Sequence, residues 1–349
     1  MRFVVAVLLA SVCFGTTGTA QAPRPDADPL SVGAARILIG GGALALIAGA
    51  SLLVRRSRRP GDGRADAPTR PQPAARAPRH PLGSLLVVLV GALGVLAYQP
   101  AFFAGTAANG VAVGTVVALG SAPVITGALD WALRRRYPGT RWLVATVIAT
   151  VGVSVLALAS DSTQAAASPL GLLASLGAGA SYAVYTLSAK QLLDRGFTPT
   201  GSMGALFGTA AVASLPILLA TDASWLATDA GLAMALWLGL VATALAYVLF
   251  GVGLSGLAPA VVATLTLAEP LTAGLLGVVV LGETLAPASV LGLAILALGI
   301  VVLATGGCRR SNVSSRTWTS SSSPGSGSTP RRGATSSPSS KRPGTAPTP

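Results

Sequence analysis

The stretch Leu267-Ala-Glu269-Pro270-Leu271-Thr-Ala-Gly-Leu-Leu-Gly-Val-Val-Val-Leu281-Gly-Glu283-Thr-Leu-Ala-Pro287 places a carboxylate and a proline side by side in an apolar run. An apolar run of about 20 residues is long enough to cross a bilayer as a helix. A charge in hydrocarbon is costly and a proline removes a helical hydrogen bond, so both should face protein or a cavity. The stretch therefore predicts a membrane helix that faces the interior of a helical bundle.

The composition of the whole chain is that of a membrane protein. Of the 349 residues, 52% are hydrophobic and 10% are charged, whereas soluble domains carry about 25% charged residues. The apolar residues come in blocks of roughly 20, as in helical proteins that cross the bilayer repeatedly. We predict an all-α integral membrane protein with ten transmembrane helices, at 3–20, 30–53, 82–106, 111–133, 140–159, 168–190, 201–220, 230–254, 257–281 and 287–305.

The first apolar segment has two interpretations. One positive charge at Arg2, a short apolar core and small residues up to Ala22 fit a cleaved signal peptide. The run Gly15-Thr-Thr-Gly-Thr19 is more polar than a signal core needs, and the repeat described below requires this helix. We therefore favour a first transmembrane helix.

The positive charge is distributed as a topology signal. The net charge is +13, and Arg and Lys cluster in alternate connections while Asp and Glu dominate the others. The positive-inside rule places the basic connections in the cytoplasm. We expect a multi-pass protein of the cytoplasmic membrane with both termini in the cytoplasm and no nucleic-acid partner.

Two segments lack the composition of a packed structure. Residues 54–81 are rich in Arg, Pro and Ala, and residues 306–349 are dominated by Ser, Pro, Thr and Gly. Neither segment can bury enough apolar surface to form a core. We expect a flexible basic cytoplasmic loop and a disordered C-terminal tail.

The chain lacks the motifs of an enzyme. Cys13 and Cys308 are isolated thiols at opposite ends, and the single histidine, His80, lies in the basic loop. These residues form no metal motif and no Ser-His-Asp triad. The glycine runs lack the Lys-Ser/Thr of a phosphate-binding loop. We expect no enzymatic activity, no metal and no cofactor.

The two halves of the chain resemble each other weakly but in order. With Pro123 aligned on Pro270, residues 110–123 lie over 257–270, and Ala97-Tyr98 falls near Ala246-Tyr247. This pattern predicts a duplication of five helices, with copies at 3–159 and 168–305. Because five is an odd number, the second copy must insert upside down, and inverted repeats of this kind place a substrate site near the membrane midplane.

Several motifs make the chain resemble the EamA-type transporters of the drug/metabolite transporter superfamily. They are Gly15-Thr-Thr-Gly-Thr-Ala-Gln21, Ala34-Ala35-Arg36, Tyr182-Ala-Val-Tyr185, Glu269-Pro270-Leu271 and Gly282-Glu283-Thr-Leu. The resemblance covers residues 3–305 and implies ten helices, two inverted repeats and the export or exchange of small metabolites. The acidic feature is not symmetric, because the first repeat has Ala122-Pro123 and Arg134-Arg135-Arg136 where the second has Glu269-Pro270 and Gly282-Glu283-Thr284.

Glu269 is the strongest candidate for a functional group because it lies near the middle of the ninth span. A carboxylate there can bind and release a proton or contact a cationic group of a substrate. It can equally cap a broken helix or pair with Arg36. Arg36 in turn either holds an anionic substrate group, neutralises a carboxylate, or extends its long stem to the outer interface.

Polar and aromatic side chains within the spans form a second set of candidates, which either line a central cavity or hydrogen-bond between helices. They are Thr17, Gln21, Tyr98, Gln99, Tyr182, Tyr185 and Tyr247. Pro100, Pro123 and Pro270 are expected to break their helices, because proline cannot donate a backbone hydrogen bond.

Together these features predict a secondary transporter. It would export or exchange a small metabolite or drug by alternating access, driven by a gradient. The alternative is a membrane receptor or scaffold that recruits partners through the basic loop and the tail. The repeat and the polar groups within the spans favour the transporter, since a scaffold needs neither. The sequence leaves the oligomeric state open, a homodimer included.

Overall fold

The computed structural model describes residues 1–22, 27–57, 81–135, 137–160, 168–282 and 284–305. Most of the predicted basic loop, Glu283 and the predicted tail lie outside these residues. Within the described ranges the chain is helical and without strands. The helices are α1 (Arg2–Gln21), α2 (Pro29–Ser57), α3 (Pro81–Arg134), α4 (Thr140–Ser160), α5 (Pro169–Asp194), α6 (Pro199–Ala220), α7 (Asp229–Gly256), α8 (Pro259–Leu281) and α9 (Pro287–Ala304).

Helix α3 is long enough to cross a bilayer twice. It has 54 residues, and a straight helix of that length would measure about 80 Å, far more than the roughly 30 Å of a hydrocarbon core. Gly110 interrupts it with φ 78 and ψ 157, a conformation that is essentially restricted to glycine. The chain reverses its direction at Gly110. The close approach of residues on either side of it shows the reversal: a methyl group on Gly114 would lie 2.7 Å from Thr106 Cα. The described residues therefore contain the ten predicted spans, in the segments 81–109 and 111–134 of α3 and in eight further helices.

Local sequence signals set where the later helices begin. Pro169 and Pro199 open α5 and α6, as expected at a first helical position, where no backbone donor is needed. The hydroxyls of Ser168 and Thr198 accept hydrogen bonds from the backbone amides three residues later. These caps satisfy backbone donors that a helix start leaves unpaired.

The alternating helices give the bundle two ends, which we call the Gln21 end, where α1 finishes, and the Arg134 end, where α3 finishes. Apart from Arg36, the basic side chains that the structure describes belong to the Arg134 end: Arg2, Arg134, Arg135, Arg141, Lys190 and Arg195. Asp28, Asp222 and Asp229 belong to the Gln21 end. The charge asymmetry of the sequence is thus an asymmetry of the folded bundle, and its orientation in the membrane stays a prediction.

The two halves of the chain pack against each other in a reciprocal pattern. Helix α2 packs on α6 and α4 on α9, while α1 lies against α7 and α8, and α5 lies against α3. Small residues allow the close approach: a methyl group on Gly204 would lie 2.6 Å from Ala48 Cβ, and one on Gly152 would lie 2.7 Å from Leu296 Cα. The pattern is compatible with two halves related by a two-fold axis, as the predicted inverted repeat requires.

The Arg134 end is tightly packed. Val7, Leu192, Met203 and Leu254 are completely buried there. Trp142 Nε1 donates hydrogen bonds of 3.0 Å to the Ala260 carbonyl and to Thr264 Oγ1, which ties α4 to α8. The interior of the bundle is therefore closed towards this end.

Candidate functional site

A cavity of about 260 Å³ lies between helices α1, α2, α3, α5, α7 and α8. It extends from the middle of the bundle to Gln21, the last residue of α1. The structure brings together the whole predicted set, because every one of the candidates lines this cavity: Thr17, Gln21, Arg36, Tyr98, Gln99, Tyr182, Tyr185, Tyr247 and Glu269. Their roles stay predictions, whereas their common location is a property of the fold.

Glu269 lies where α8 changes its helical form. Thr266–Ala268 form a short 3-10 segment, and the regular α-helix resumes at Glu269, with Pro270 in its first turn. The Glu269 side chain is half-buried and lines the cavity. No hydrogen bond from another described residue reaches it. Its place at a helix start gives it a favourable dipole interaction, and its side chain can bind water or a ligand in the cavity.

Glycine brings α1 close to the backbone of Glu269. A methyl group on Gly15 would lie 2.8 Å from the Glu269 carbonyl oxygen and 2.6 Å from Thr272 Cβ. The two helices therefore touch through backbone, and the cavity wall between them is thin. The glycine of the Gly15-Thr-Thr motif has a packing role that its sequence position alone did not reveal.

Arg36 is bonded to α7. Its Nε donates to Thr243 Oγ1 at 2.8 Å, and its Nη2 donates to the Ala242 carbonyl at 2.9 Å. Residues Trp237–Leu245 form a π-helical segment, in which Thr243 Oγ1 donates to the Leu238 carbonyl at 2.8 Å. A π-helical turn displaces carbonyls from the regular pattern. The Arg36 guanidinium binds both the Ala242 carbonyl and the Thr243 hydroxyl of this segment.

Arg36 and Glu269 do not form an ion pair, and the salt bridges among the described residues all involve other groups. Neither the predicted alternative of Arg36–Glu269 pairing nor that of an Arg36 stem reaching the interface describes the observed geometry. The cavity instead holds one cation fastened to the protein and one carboxylate without a protein donor.

Tyrosine hydroxyls form two short links on the cavity wall. Tyr182 Oη lies 2.9 Å from Thr266 Oγ1, which itself donates to the Ala263 carbonyl, so the tyrosine is the donor. Tyr185 Oη and Tyr247 Oη are 3.2 Å apart. In that pair one hydroxyl donates and the other keeps its proton for a further acceptor. The tyrosines therefore stiffen the wall and leave hydrogen-bonding capacity towards the cavity.

Three further polar candidates have no bonding partner in the part of the chain that the structure describes. Thr17 Oγ1 is buried and unpaired, and no hydrogen bond connects the amides of Gln21 or Gln99 to another described residue. Interhelical hydrogen bonding would require such bonds. In this structure Thr17, Gln21 and Gln99 therefore line the cavity and do not form hydrogen bonds between the described helices.

The sequence reading missed several cavity residues. Phe14, Phe102, Phe103, Thr115 and Thr266 also line the cavity. Phenylalanine and threonine are ordinary in apolar helices, so composition gave no reason to select them. Helical spacing was the available signal, since Phe14 lies three and seven residues before Thr17 and Gln21, on the same face of α1.

The three prolines behave differently from the expected helix breaks. Pro100 and Pro123 lie inside α3, whose only non-helical dihedrals are those of Gly110. The predicted breaks at Pro100 and Pro123 are therefore wrong, because the fixed φ of proline is compatible with a helix, and the lost hydrogen bond and ring clash are tolerated where neighbouring helices pack around the segment. Pro270 does follow an interruption, the 3-10 segment that ends at Ala268.

Two comparisons identify the family. The model of the EamA-like transporter family matches residues 1–158 and 169–305. This chain belongs to the EamA-like transporter family. The Bacillus subtilis (strain 168) protein described as uncharacterized transporter YwfM is 40% identical over 300 residues, which cover 85% of this chain and 92% of that protein.

A third comparison concerns the fold of this EamA-like chain. A crystal structure at 20% identity superposes with a TM-score of 0.67, covering 89% of this chain and 98% of the other. At that identity the likeness is one of fold alone. The resemblance to the drug/metabolite transporter superfamily is confirmed, and the chain is a multi-pass membrane transporter protein.

Proposed function

We propose that this chain is a secondary transporter that exports or exchanges a small metabolite or drug by alternating access. The carrying observation is the half-buried carboxylate of Glu269, which faces a cavity between the two halves of the chain and has no donor among the described residues. A purely structural carboxylate would be paired, because leaving it unpaired in an apolar interior is costly.

The conformation supports one state of such a cycle. The cavity reaches the Gln21 end, whereas the Arg134 end is closed by buried side chains. With the Arg134 end in the cytoplasm, as the positive-inside rule implies, this state opens to the outside of the cytoplasmic membrane. A transporter must also visit a state in which the Arg134 end opens.

Polar contacts at the Arg134 end are suited to separate and re-form. Arg134 Nη1 lies 2.6 Å from Asp194 Oδ2, and Arg134 Nε lies 2.9 Å from Asp130 Oδ1. Arg141 Nε donates to the Val302 carbonyl at 2.7 Å. The Arg134–Asp194 and Arg141–Val302 contacts join α3 and α4 of the first half to α5 and α9 of the second, whereas the Arg134–Asp130 pair lies within α3. A partly exposed ion pair such as Arg134–Asp194 contributes only about 0.2–1 kcal/mol.

Glu269 is the proposed coupling group. The ionisable side chains that face it across the cavity are Arg36 from α2, Tyr98 from α3, Tyr182 and Tyr185 from α5, and Tyr247 from α7. Arg36 is fastened to α7, so Glu269 is the group whose charge can change without breaking a bond within the protein. A proton or a cationic substrate group would then compete for the same carboxylate.

The test is solute exchange in proteoliposomes that contain the full-length protein. Concentration jumps of a panel of amino acids, amines and neutral solutes should produce saturable flux for at least one of them in wild type. Asp222→Asn, which removes an exposed carboxylate at the Gln21 end, should retain that flux, and Glu269→Gln should lose it or make it independent of pH. Flux that is indifferent to Glu269→Gln contradicts the proposal.

A further inference from the structure

We propose that the cavity selects a small organic ammonium ion, whose nitrogen binds Glu269 and whose apolar body lies against the tyrosine and phenylalanine rings. The inference rests on the proposed transport function for its biological meaning, but it concerns binding and is tested separately from transport. It follows from the unsatisfied groups, the rings and the size of the cavity.

The hydrogen-bonding groups of the cavity favour a ligand that is a hydrogen-bond donor. Glu269 accepts no bond from the described residues, whereas Arg36 already donates to the Ala242 carbonyl and Thr243 Oγ1. The other polar groups without a partner among the described residues, on Thr17, Gln21 and Gln99, are neutral. A ligand that brings N–H donors and a positive charge therefore satisfies the group that most needs a partner. Two of the five N–H groups of Arg36 are already donated to α7, so a ligand carboxylate would meet a cation that is partly compensated, whereas a ligand cation would meet an uncompensated carboxylate.

Aromatic side chains are concentrated on the cavity wall. Four of the five tyrosines and three of the seven phenylalanines line it. Tyr98 and Phe102 are stacked with their ring centroids 6.0 Å apart, and Phe14 meets Tyr247 edge-on at 5.1 Å. Aromatic faces attract cations by about 0.5–2 kcal/mol, with the higher value in desolvated sites. The rings therefore favour a cation as well as an apolar ligand body.

The volume limits the ligand to one ring. An engineered apolar cavity of about 150 Å³ in another protein holds benzene, and the cavity here measures about 260 Å³. The difference accommodates a short chain that ends in an ammonium group. A molecule such as 2-phenylethylamine, which is protonated at neutral pH as lysine is, has this size and charge.

The experiment compares ligands that differ in charge but not in shape. Binding of 2-phenylethylamine, neutral 2-phenylethanol and zwitterionic phenylalanine to the purified full-length protein is measured calorimetrically in lipid nanodiscs at pH 7. We expect the amine to bind wild type at least about tenfold more tightly than the alcohol, the effect of one charge-assisted hydrogen bond. Equal binding of amine and alcohol, or tighter binding of phenylalanine, would overturn the inference.

Variants assign the preference to the named residues. Glu269→Gln should abolish the preference for amine over alcohol, while Asp222→Asn should retain it. If Glu269→Gln does not fold, Tyr98→Leu and Tyr98→Phe provide the second comparison, because the ring is removed in one and kept in the other. Weaker amine binding in Tyr98→Leu than in Tyr98→Phe supports the ring contact, and equal binding contradicts it.

The outcomes separate binding from transport. Amine binding that depends on Glu269, without flux of any solute in proteoliposomes, would contradict the proposed function and leave the selectivity intact. Flux of an amino acid or neutral solute, without any preference for the amine in binding, would contradict the selectivity and leave the transporter proposal intact.

Discussion

Arg36 and Glu269 face the same cavity, yet the Arg36 guanidinium is bonded to Thr243 and Ala242 and forms no ion pair with the carboxylate. The two opposite charges therefore interact with different groups and not with each other. The cation fastens α2 to the π-helical segment of α7, and the carboxylate is left for a ligand or a proton.

The bond between Arg36 and Thr243 should be a structural fastening. Thr243→Val removes the acceptor of Arg36 Nε, and we expect it to lower the free energy of unfolding by about 1–3 kcal/mol, as for buried hydrogen bonds to charged groups. Arg36→Gln should cost a similar amount. Because both changes remove the same bond, the double variant should cost less than the two single variants together. Thermal denaturation in detergent measures the three losses of stability. Strictly additive losses would contradict a stabilising bond between Arg36 and Thr243.

The hydroxyl of Thr17 should matter for the ligand and not for the fold. It is buried and has no partner among the described residues, so Thr17→Val removes no bond within the protein. We expect the melting temperature to stay the same or rise slightly, since an unpaired buried hydroxyl is itself costly. Solute flux or ligand affinity should fall. A clear loss of stability with unchanged affinity would show instead that Thr17 has a structural partner.

The turn at Gly110 should tolerate no side chain. Its φ of 78 and ψ of 157 belong to a region that costs other residues about 1–3 kcal/mol. We expect Gly110→Ala to lower stability by that amount, as measured by thermal unfolding. The matched control is Gly42→Ala in α2, where a methyl group meets no atom within 4 Å, and where stability should be unchanged or rise by up to about 1 kcal/mol because alanine favours a helix. Equal effects of the two changes would argue against the reversal at Gly110.

The contacts of Arg134 should oppose opening of its end of the bundle. Ala260 is completely buried there, so Ala260→Cys in a background without Cys13 and Cys308 reports opening through its reaction with a membrane-impermeant maleimide. We expect Arg134→Gln to increase the labelling rate about twofold to fivefold, in line with the loss of partly exposed ion pairs.

The control for this experiment is the neighbouring Arg135→Gln. Arg135 is exposed and takes part in none of the salt bridges found among the described residues. Its replacement should leave the labelling rate at the starting value. If both substitutions increase labelling equally, then net charge rather than the Arg134 contacts keeps this end closed.

Much of the architecture could be predicted because apolar length and helix-start chemistry are local. The ten spans, the start of α5 after Ser168 and the selection of Glu269 all follow from residues close together in the sequence. The convergence of nine candidates on one cavity also has a simple cause. Polar groups within apolar helices avoid lipid, and the cavity between the two halves offers them a common place.

The remaining features depend on contacts between distant segments. Arg36 and Thr243 are separated by 207 positions, and no local pattern indicates the π-helical segment that brings them together. Pro100 and Pro123 were expected to break their helices because each removes one backbone hydrogen bond. Both lie inside α3 without a break, because packing against neighbouring helices, which the sequence does not show, offsets that cost. Phe14 and Phe102 were missed because an apolar side chain carries the same sequence signal on a lipid face and on a cavity wall.

The most direct test of the central role of Glu269 is the pH dependence of solute exchange in proteoliposomes. The solute is the one that gives saturable flux with wild type, and the rates of wild type, Glu269→Gln and Asp222→Asn are compared between pH 5 and pH 9. Asp222 is a suitable control because the Ser224 amide, which donates to its carboxylate at 2.9 Å, lowers the pKa of that group and keeps it charged over this range.

We expect wild type and Asp222→Asn to share one titrating profile and Glu269→Gln to show a flat or absent one. Superimposable profiles for all three proteins would contradict the assignment of Glu269 as the coupling group.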